Sequence, residues 1–162
     1  MEAFIQVSSE LQEVHLVIVG DGTARSGLEK MAERAGLRSR VHFTGRVVGD
    51  DVPQLYRTAD LFVITSKTET QSIVLLEAMA TGLPCVAVDA GAIPELVQTD
   101  ENGFLCEADD VRAVASGMKK ILTDEPLCRS MGAASLEKVK KHDISYTLTR
   151  VEEIYRLVVE NY

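Results

Sequence analysis

Five short apolar runs alternate with helical patterns along this chain, and that alternation limits the fold more than any other feature. "VHLVIVG" (Val14 to Gly20), "VHFTG" (Val41 to Gly45), "LFVIT", "CVAVD" and "GFLC" read as strands. "GLEKMAERAG", with Leu28, Met31, Ala32 and Ala35 on one face, reads as the helix after the first of them. "DDVPQLYRTA" opens another, with Asp50 or Asp51 as N-cap and Pro53 in its first turn. "SIVLLEAMATG" reads as a buried helix and "IPELVQ" as a helix of one to two turns, and beyond Asp109 the pattern stays helical to the end. The strands are continuously apolar, so they are expected to be covered on both faces. Alternation of this kind implies right-handed βαβ units and an open parallel α/β sheet with helices on both faces. Ligands of such sheets bind beyond the carboxyl ends of the strands. The loops to search are therefore Gly20–Gly22, Gly45–Gly49, Thr65–Thr70 and Asp89–Gly91.

Composition narrows the function. The 162 residues suit one domain over 1–162 with a sizeable core, and 46% hydrophobic content is ordinary for a soluble protein. With 25 acidic and 17 basic side chains the net charge is -8, which argues against a broad nucleic-acid or acidic-membrane surface but leaves room for a local phosphate site. Cys85, Cys106 and Cys128 stand singly and read as reduced thiols. The three histidines lack metal-ligand spacing, so no metal site is expected. No run reaches transmembrane length and no signal pattern opens the chain, so a cytoplasmic setting is expected.

Common nucleotide motifs fail here. "GDGTAR" places Gly20 and Gly22 correctly for G-x-G-x-x-G, but Arg25 stands at the third glycine, and His42 lies where an acid would hold a ribose. Gly22 and Gly27 have P-loop spacing, but Leu28 and Glu29 replace its Lys and Ser/Thr. The pair Gly20 and Gly22 reads equally as a tight strand-to-helix turn.

"ETQSIVLLEAMATGLP" is more specific. Glu69 and Glu77 are separated by seven residues, with Ile73 to Leu76 apolar between them. A helix beginning near Gln71 or Ser72 leaves its first amides unpaired, a natural seat for a diphosphate. Glu77 then lies roughly 6–8 Å farther along the helix, about the distance from a diphosphate to its ribose. A carboxylate accepts hydrogen bonds from both hydroxyls of a vicinal diol. Glu69, ahead of the helix, falls on the opposite side of the phosphates, where a transferred sugar would lie. A carboxylate inside a buried helix is costly unless paired, so Glu77 is expected to have a partner.

"VIVGDG", "VHFTGRV", "LYRTADLFVITSKTETQSIVLLEAMATGLPCVAVDAGAIPELV" and "ENGFLCEADD" together resemble the donor-binding, C-terminal half of a GT-B retaining glycosyltransferase of the group-1 family, family 4 in the sequence-based classification. The resemblance implies a Rossmann-like domain and transfer of a hexose from a UDP- or GDP-linked sugar, with retention and without a metal or other cofactor. It makes Glu69 the catalytic-site carboxylate touching the sugar hydroxyls and Glu77 the ribose ligand. Thr70 and Gln71 fall in the donor loop, and backbone amides at Ser72, Ile73 and Val74 meet sugar and phosphate. Gly20, Gly22 and the turn of Gly45, Arg46 and Val47 lie on the nucleotide side. Two departures stand out. Ser72 occupies a position that is usually Gly. The sequence also opens inside the first helix, "MEAFIQVSSE", so the first strand, the Arg and Lys that neutralise the diphosphate, and the acceptor domain are expected partners from elsewhere. The family strand order, 3-2-1-4-5-6, puts that first strand between "VHLVIVG" and "LFVIT". Its absence leaves two edges to re-pair, to accept a strand from another chain, or to lower stability.

Plainer roles compete at several of these positions. Glu77 could serve a helix-internal salt bridge or be a partly exposed position, Glu69 could be a solvated loop acid, and Arg46 could be a surface charge. Glu95 favours its helix dipole, His42 reads as a polar face residue and Cys85 as core. "KVKKH" reads as a solvated helix end, with membrane contact the lesser reading; peripheral membrane contact is otherwise left to the acceptor domain. The functional alternatives are a non-catalytic nucleotide-sugar-binding module and a GT-B nucleotide-sugar epimerase. The chain alone is expected to transfer no sugar.

Overall fold

A computed structural model describes residues 1–160. The elements run α1 (Glu2–Glu10), β1 (Leu16–Val19), α2 (Arg25–Arg34), β2 (Val41–Gly45), α3 (Asp51–Arg57), β3 (Phe62–Ile64), α4 (Ile73–Ala80) and β4 (Cys85–Val88). They continue through α5 (Ile93–Leu96), β5 (Gly103–Cys106), α6 (Val111–Thr123), α7 (Glu125–Val139), a 3-10 turn (Lys140–His142) and α8 (Ile144–Glu160).

All strand pairs are parallel, as the alternation predicts, but the strands form two sheets: β1 with β2, and β3-β4-β5. The open sheet is therefore interrupted between β1 and β3, at the gap expected where the resemblance places a further strand. Each of these two strands pairs on one side only among the described residues, and they do not re-pair with one another.

β4 shows why a strand can be apolar at every position. It pairs on both edges, and its side chains alternate between two cores. Val86 and Val88 join Val114, Met118 and Ile121 of α6, together with Phe4 and Val7 of α1. Cys85 and Ala87 join Leu75 and Met79 of α4 and Ile93 of α5. Each large side chain buried this way contributes about 1.5–3 kcal/mol.

β1 looks the same in sequence and behaves otherwise. Leu16 and Ile18 pack on the first core with Val41, whereas Val17 and Val19 are 46% and 50% exposed. In β2, Val41 is buried while His42 and Thr44 are exposed. Two-sided cover thus holds for the three-stranded sheet and fails for the two-stranded one. The first core runs beneath both sheets, but the α4–α5 layer covers only the larger. His42 sits on the open face as a polar residue and stacks with His15, their ring nitrogens 2.9 Å apart.

Polar side chains finish the helix ends. Asp110 and Asp124 accept hydrogen bonds from the amides of Ala113 and Leu127, each at 2.9 Å, capping α6 and α7. Asp50 holds the N-cap position of α3 without a side-chain bond. The Arg40 guanidinium donates to the carbonyls of Ser8, Leu11 and Gln12, satisfying the end of α1. Buried Asn102, from "ENGF", accepts from the Gln98 amide and donates to the Leu96 carbonyl, closing α5. On α2 only Ala32 is fully buried; Ala35, expected on its apolar face, is exposed because α2 ends at Arg34. α8 is exposed along its whole length and leans on the 3-10 turn.

Candidate functional site

The predicted site residues fall into two groups, each at the carboxyl ends of parallel strands. The first closes the two-stranded sheet. The Gly20 amide donates to the Gly45 carbonyl at 2.8 Å, with both glycines at positive φ (127° and 70°), a turn that an L side chain would strain. Gly22 donates its amide to Asp21 Oδ1 at 2.8 Å. Arg25, which rules out the dinucleotide motif, supports this turn. Its guanidinium bonds Glu29 at 3.0 Å and Asp21 at 3.3 Å and lies over the Phe43 ring. Arg46 is exposed and Val47 half-buried on the turn that follows.

The second group surrounds the start of α4. The helix begins at Ile73, one or two residues later than expected, with Ser72 at its N-cap in a left-handed conformation (φ 48°, ψ 61°). This is a conformation that glycine adopts freely and an L side chain rarely does. The Ser72 carbonyl accepts the first helical bonds, from Leu75 and Leu76 at 2.9 and 3.1 Å. The amides of Ser72, Ile73 and Val74 have no backbone acceptor among the described residues. Ser72 itself is buried, and among the described residues its hydroxyl neither caps the helix nor bonds any other group.

α4 is less buried than its composition suggests. Leu75, Ala78 and Met79 point into the core, whereas Ile73, Val74 and Glu77 form an exposed face. The Glu77 carboxylate therefore escapes the desolvation that a fully buried helix would impose. It does have a partner: the Tyr56 hydroxyl lies 3.2 Å from Glu77 Oε2 and 3.1 Å from the Val74 carbonyl. Burial, and after it the negative charge of Glu77, pushes the Tyr56 phenol up to about 12, so it stays a hydrogen-bond donor near neutrality. Nothing local in the sequence marks Tyr56; it reaches Glu77 because α3 packs beside α4, across 21 residues of chain.

Glu69 is half-buried on the β3–α4 loop, and Thr70 and Gln71 are exposed beside it. No side chain bonds the Glu69 carboxylate among the described residues. Lys67, the basic residue of this loop, is paired with Asp109 at 2.6 Å. No cluster of three or more His, Cys, Asp or Glu side chains able to hold a metal ion occurs among the described residues. A concavity of about 550 Å³ between the starts of α1 and α6 contains none of the predicted site residues. Glu77 lies instead on the open face of α4, and Glu69 on the loop that precedes it.

The fold defines the class: it matches the C-terminal domains of GT-B glycosyltransferases. The chain belongs to the glycosyl transferases group 1 family, whose model matches residues 1–138. It is 36% identical over 139 residues to N-acetyl-alpha-D-glucosaminyl L-malate synthase of Bacillus anthracis, covering 86% of this chain and 36% of that protein. It is 37% identical over 131 residues to a GDP-mannose-dependent phosphatidylinositol monomannoside mannosyltransferase of Mycobacterium tuberculosis, covering 76% of this chain and 34% of that one. This chain thus spans about a third of such relatives. Among solved structures, the C-terminal domain of a group 1 glycosyl transferase (LpcC) from Francisella tularensis superposes with TM-score 0.80 at 29% identity, covering 88% of this chain and 77% of that one. HepE from Anabaena in complex with UDP-glucose gives 0.82 at 27%, covering 96% and 44%. Among the described residues, no helix is long and apolar enough to cross a membrane.

Proposed function

We propose that residues 1–162 form one donor-binding domain of a retaining, metal-independent glycosyltransferase that moves a hexose from a UDP- or GDP-linked sugar to an acceptor. The observation that carries this reading is the α4 N-terminus, where three free amides lie between Glu69 and Glu77. Helix-end amides favour a diphosphate through their hydrogen bonds and the helix dipole, and they stabilise the charge that develops as the sugar departs. Glu77 accepts hydrogen bonds from the ribose hydroxyls, with Tyr56 fixing one carboxylate oxygen and leaving the other open. Glu69 meets the sugar on the far side of the phosphates. Gly20, Gly22, Gly45, Arg46 and Val47 flank the base, and Thr70, Gln71, Ser72, Ile73 and Val74 line the sugar and phosphates.

The acceptor domain and the basic residues that complete phosphate neutralisation are partners of this chain, and the edges of β1 and β3 accept a donated strand. The acceptor domain makes any contact with a membrane surface. Three free cysteines suit a reducing, cytoplasmic setting. For the isolated chain a binding-only role is favoured by Lys67, which is committed to Asp109 rather than to the helix start. The test is donor turnover by the full-length protein with and without a chelator, with the product's anomeric configuration read by NMR. Retained configuration, activity in chelator and loss of transfer in Glu69→Ala support the reading. Inverted product, or full transfer by Glu69→Ala, contradicts it.

A further inference from the structure

The loop that carries Glu69 has little to hold it. Between the end of β3 at Ile64 and the N-cap Ser72, one backbone hydrogen bond arrives from elsewhere in the described chain: the Ala92 amide donates to the Glu69 carbonyl at 3.0 Å. That amide follows Gly91, and Gly91 lies against the same peptide group. A Cβ on Gly91 would stand 1.9 Å from the Glu69 carbonyl oxygen and 3.0 Å from its carbonyl carbon. Those atoms are backbone and cannot swing aside as a side-chain tip could. Gly91 also has φ +55°, a conformation that L side chains rarely adopt.

The other side of this contact is firmly anchored. The Asp89 amide donates to the Cys106 carbonyl at 2.7 Å, tying the loop to the end of β5. The Ile93 amide donates to the Ala90 carbonyl, and Ile93, Leu96 and Val97 are buried in the second core. The β4–α5 loop is thus a rigid stop, and the Glu69 peptide rests directly on it.

We infer that Gly91 is a positioning residue for Glu69: the absence of a side chain at Gly91 lets the Glu69 peptide seat on the Ala92 amide and sets where its carboxylate meets the donor sugar. This rests on the reading of Glu69 as the sugar contact. Any side chain at position 91 must push the Glu69 peptide away, and a displacement of an ångström or more breaks a hydrogen bond made by its carboxylate. The nucleotide contacts, built on α4 and on the Gly45 turn, are left in place.

The experiment compares calorimetric affinities of the full-length protein for a nucleoside diphosphate and for its sugar conjugate. Wild type, Gly91→Ala, Gly91→Asn, Glu69→Ala and the Gly91→Ala/Glu69→Ala double variant are measured. Losing a charged hydrogen bond corresponds to about tenfold in affinity. Gly91→Ala should erase about that much of the sugar's advantage, leave the diphosphate within about twofold, and add nothing in the double variant. Asn tolerates positive φ but still carries a Cβ, so Gly91→Asn should behave like Gly91→Ala; a retained sugar advantage in Gly91→Asn overturns the steric argument. Additive losses in the double variant overturn action through Glu69. An unchanged sugar advantage in Glu69→Ala, by contrast, overturns the sugar role of Glu69 itself, and the inference with it. Hydrogen exchange on the wild type needs no folded variant: protection of the Ala92 amide is expected, and exchange at the free-peptide rate overturns the contact.

Discussion

Replacing Ser72 by glycine should stabilise this protein, and the size of the effect follows from two local defects. The left-handed backbone at Ser72 costs a non-glycine residue about 1–2 kcal/mol. Its buried hydroxyl, with no partner, costs about 1–3 kcal/mol more. Against this, glycine gives the unfolded chain freedom worth about 0.5–1 kcal/mol. The net gain for Ser72→Gly is about 2 kcal/mol, or roughly 4–8 °C in Tm for a chain of this size. Ser72→Ala removes the hydroxyl but keeps the Cβ in the left-handed region, so it should recover only the second part. Calorimetric melting measures both variants, and titration with UDP- and GDP-sugars shows whether the glycine variant binds as tightly or more tightly. A lower Tm in Ser72→Gly would refute the strain argument. A large, equal loss of affinity in both variants would show that the hydroxyl is itself a ligand.

Other outcomes follow from the same geometry. Glu77→Gln should weaken binding of UDP or GDP by roughly tenfold to a hundredfold, the loss of one or two charged hydrogen bonds, while leaving Tm nearly unchanged because Glu77 is exposed; equal affinity removes the ribose role. In the same variant, absorbance titration should find the Tyr56 phenol lowered from about 12 but still above an ordinary tyrosine, since burial is the larger cause; an unmoved titration would break the Tyr56–Glu77 contact. The raised phenol value also means that Tyr56 contributes stability below about pH 10 that is lost as pH rises towards about 12, and Tyr56→Phe should flatten that part of the stability profile. Glu69→Ala should spare nucleoside-diphosphate affinity and weaken the sugar conjugate; matching losses for both ligands would contradict its place ahead of the helix. Joining roughly ten to fifteen strand-forming residues ahead of Met1 should raise Tm and donor affinity together by pairing the open edges of β1 and β3. A chain equally stable without them would argue against an accepting slot.

How far the sequence could be read depended on whether a residue's surroundings are local. The parallel α/β class is legible because apolar runs and helical periods alternate with short turns, and β4 is buried on both faces as its apolar run predicts. β1 carries the same signal, yet Val17 and Val19 are exposed, because cover on a strand's second face comes from elements far along the chain. The two-carboxylate spacing located the α4 terminus to within two residues, since helix rise is a local constant. It did not show that α4 keeps one exposed face, because that depends on which elements pack beside it. Tyr56 and Arg40 carry no local sequence signal for the same reason: their partners lie 21 and up to 32 positions away. α8 was legible as a helix, but its exposure along the whole length was not.

The central claim, that the start of α4 seats a nucleotide sugar between Glu69 and Glu77, is tested most directly by NMR on the nitrogen-labelled 162-residue chain titrated with UDP, GDP and their sugar conjugates. The diphosphates should move the amides of Ser72, Ile73 and Val74 most, with smaller shifts at Glu77 and across Gly45 to Val47. Glu69 and Thr70 should respond only to the sugar conjugates. Shifts confined to the α1–α6 concavity near Asp109 and Arg112, with the α4 amides silent at saturating ligand, would contradict it.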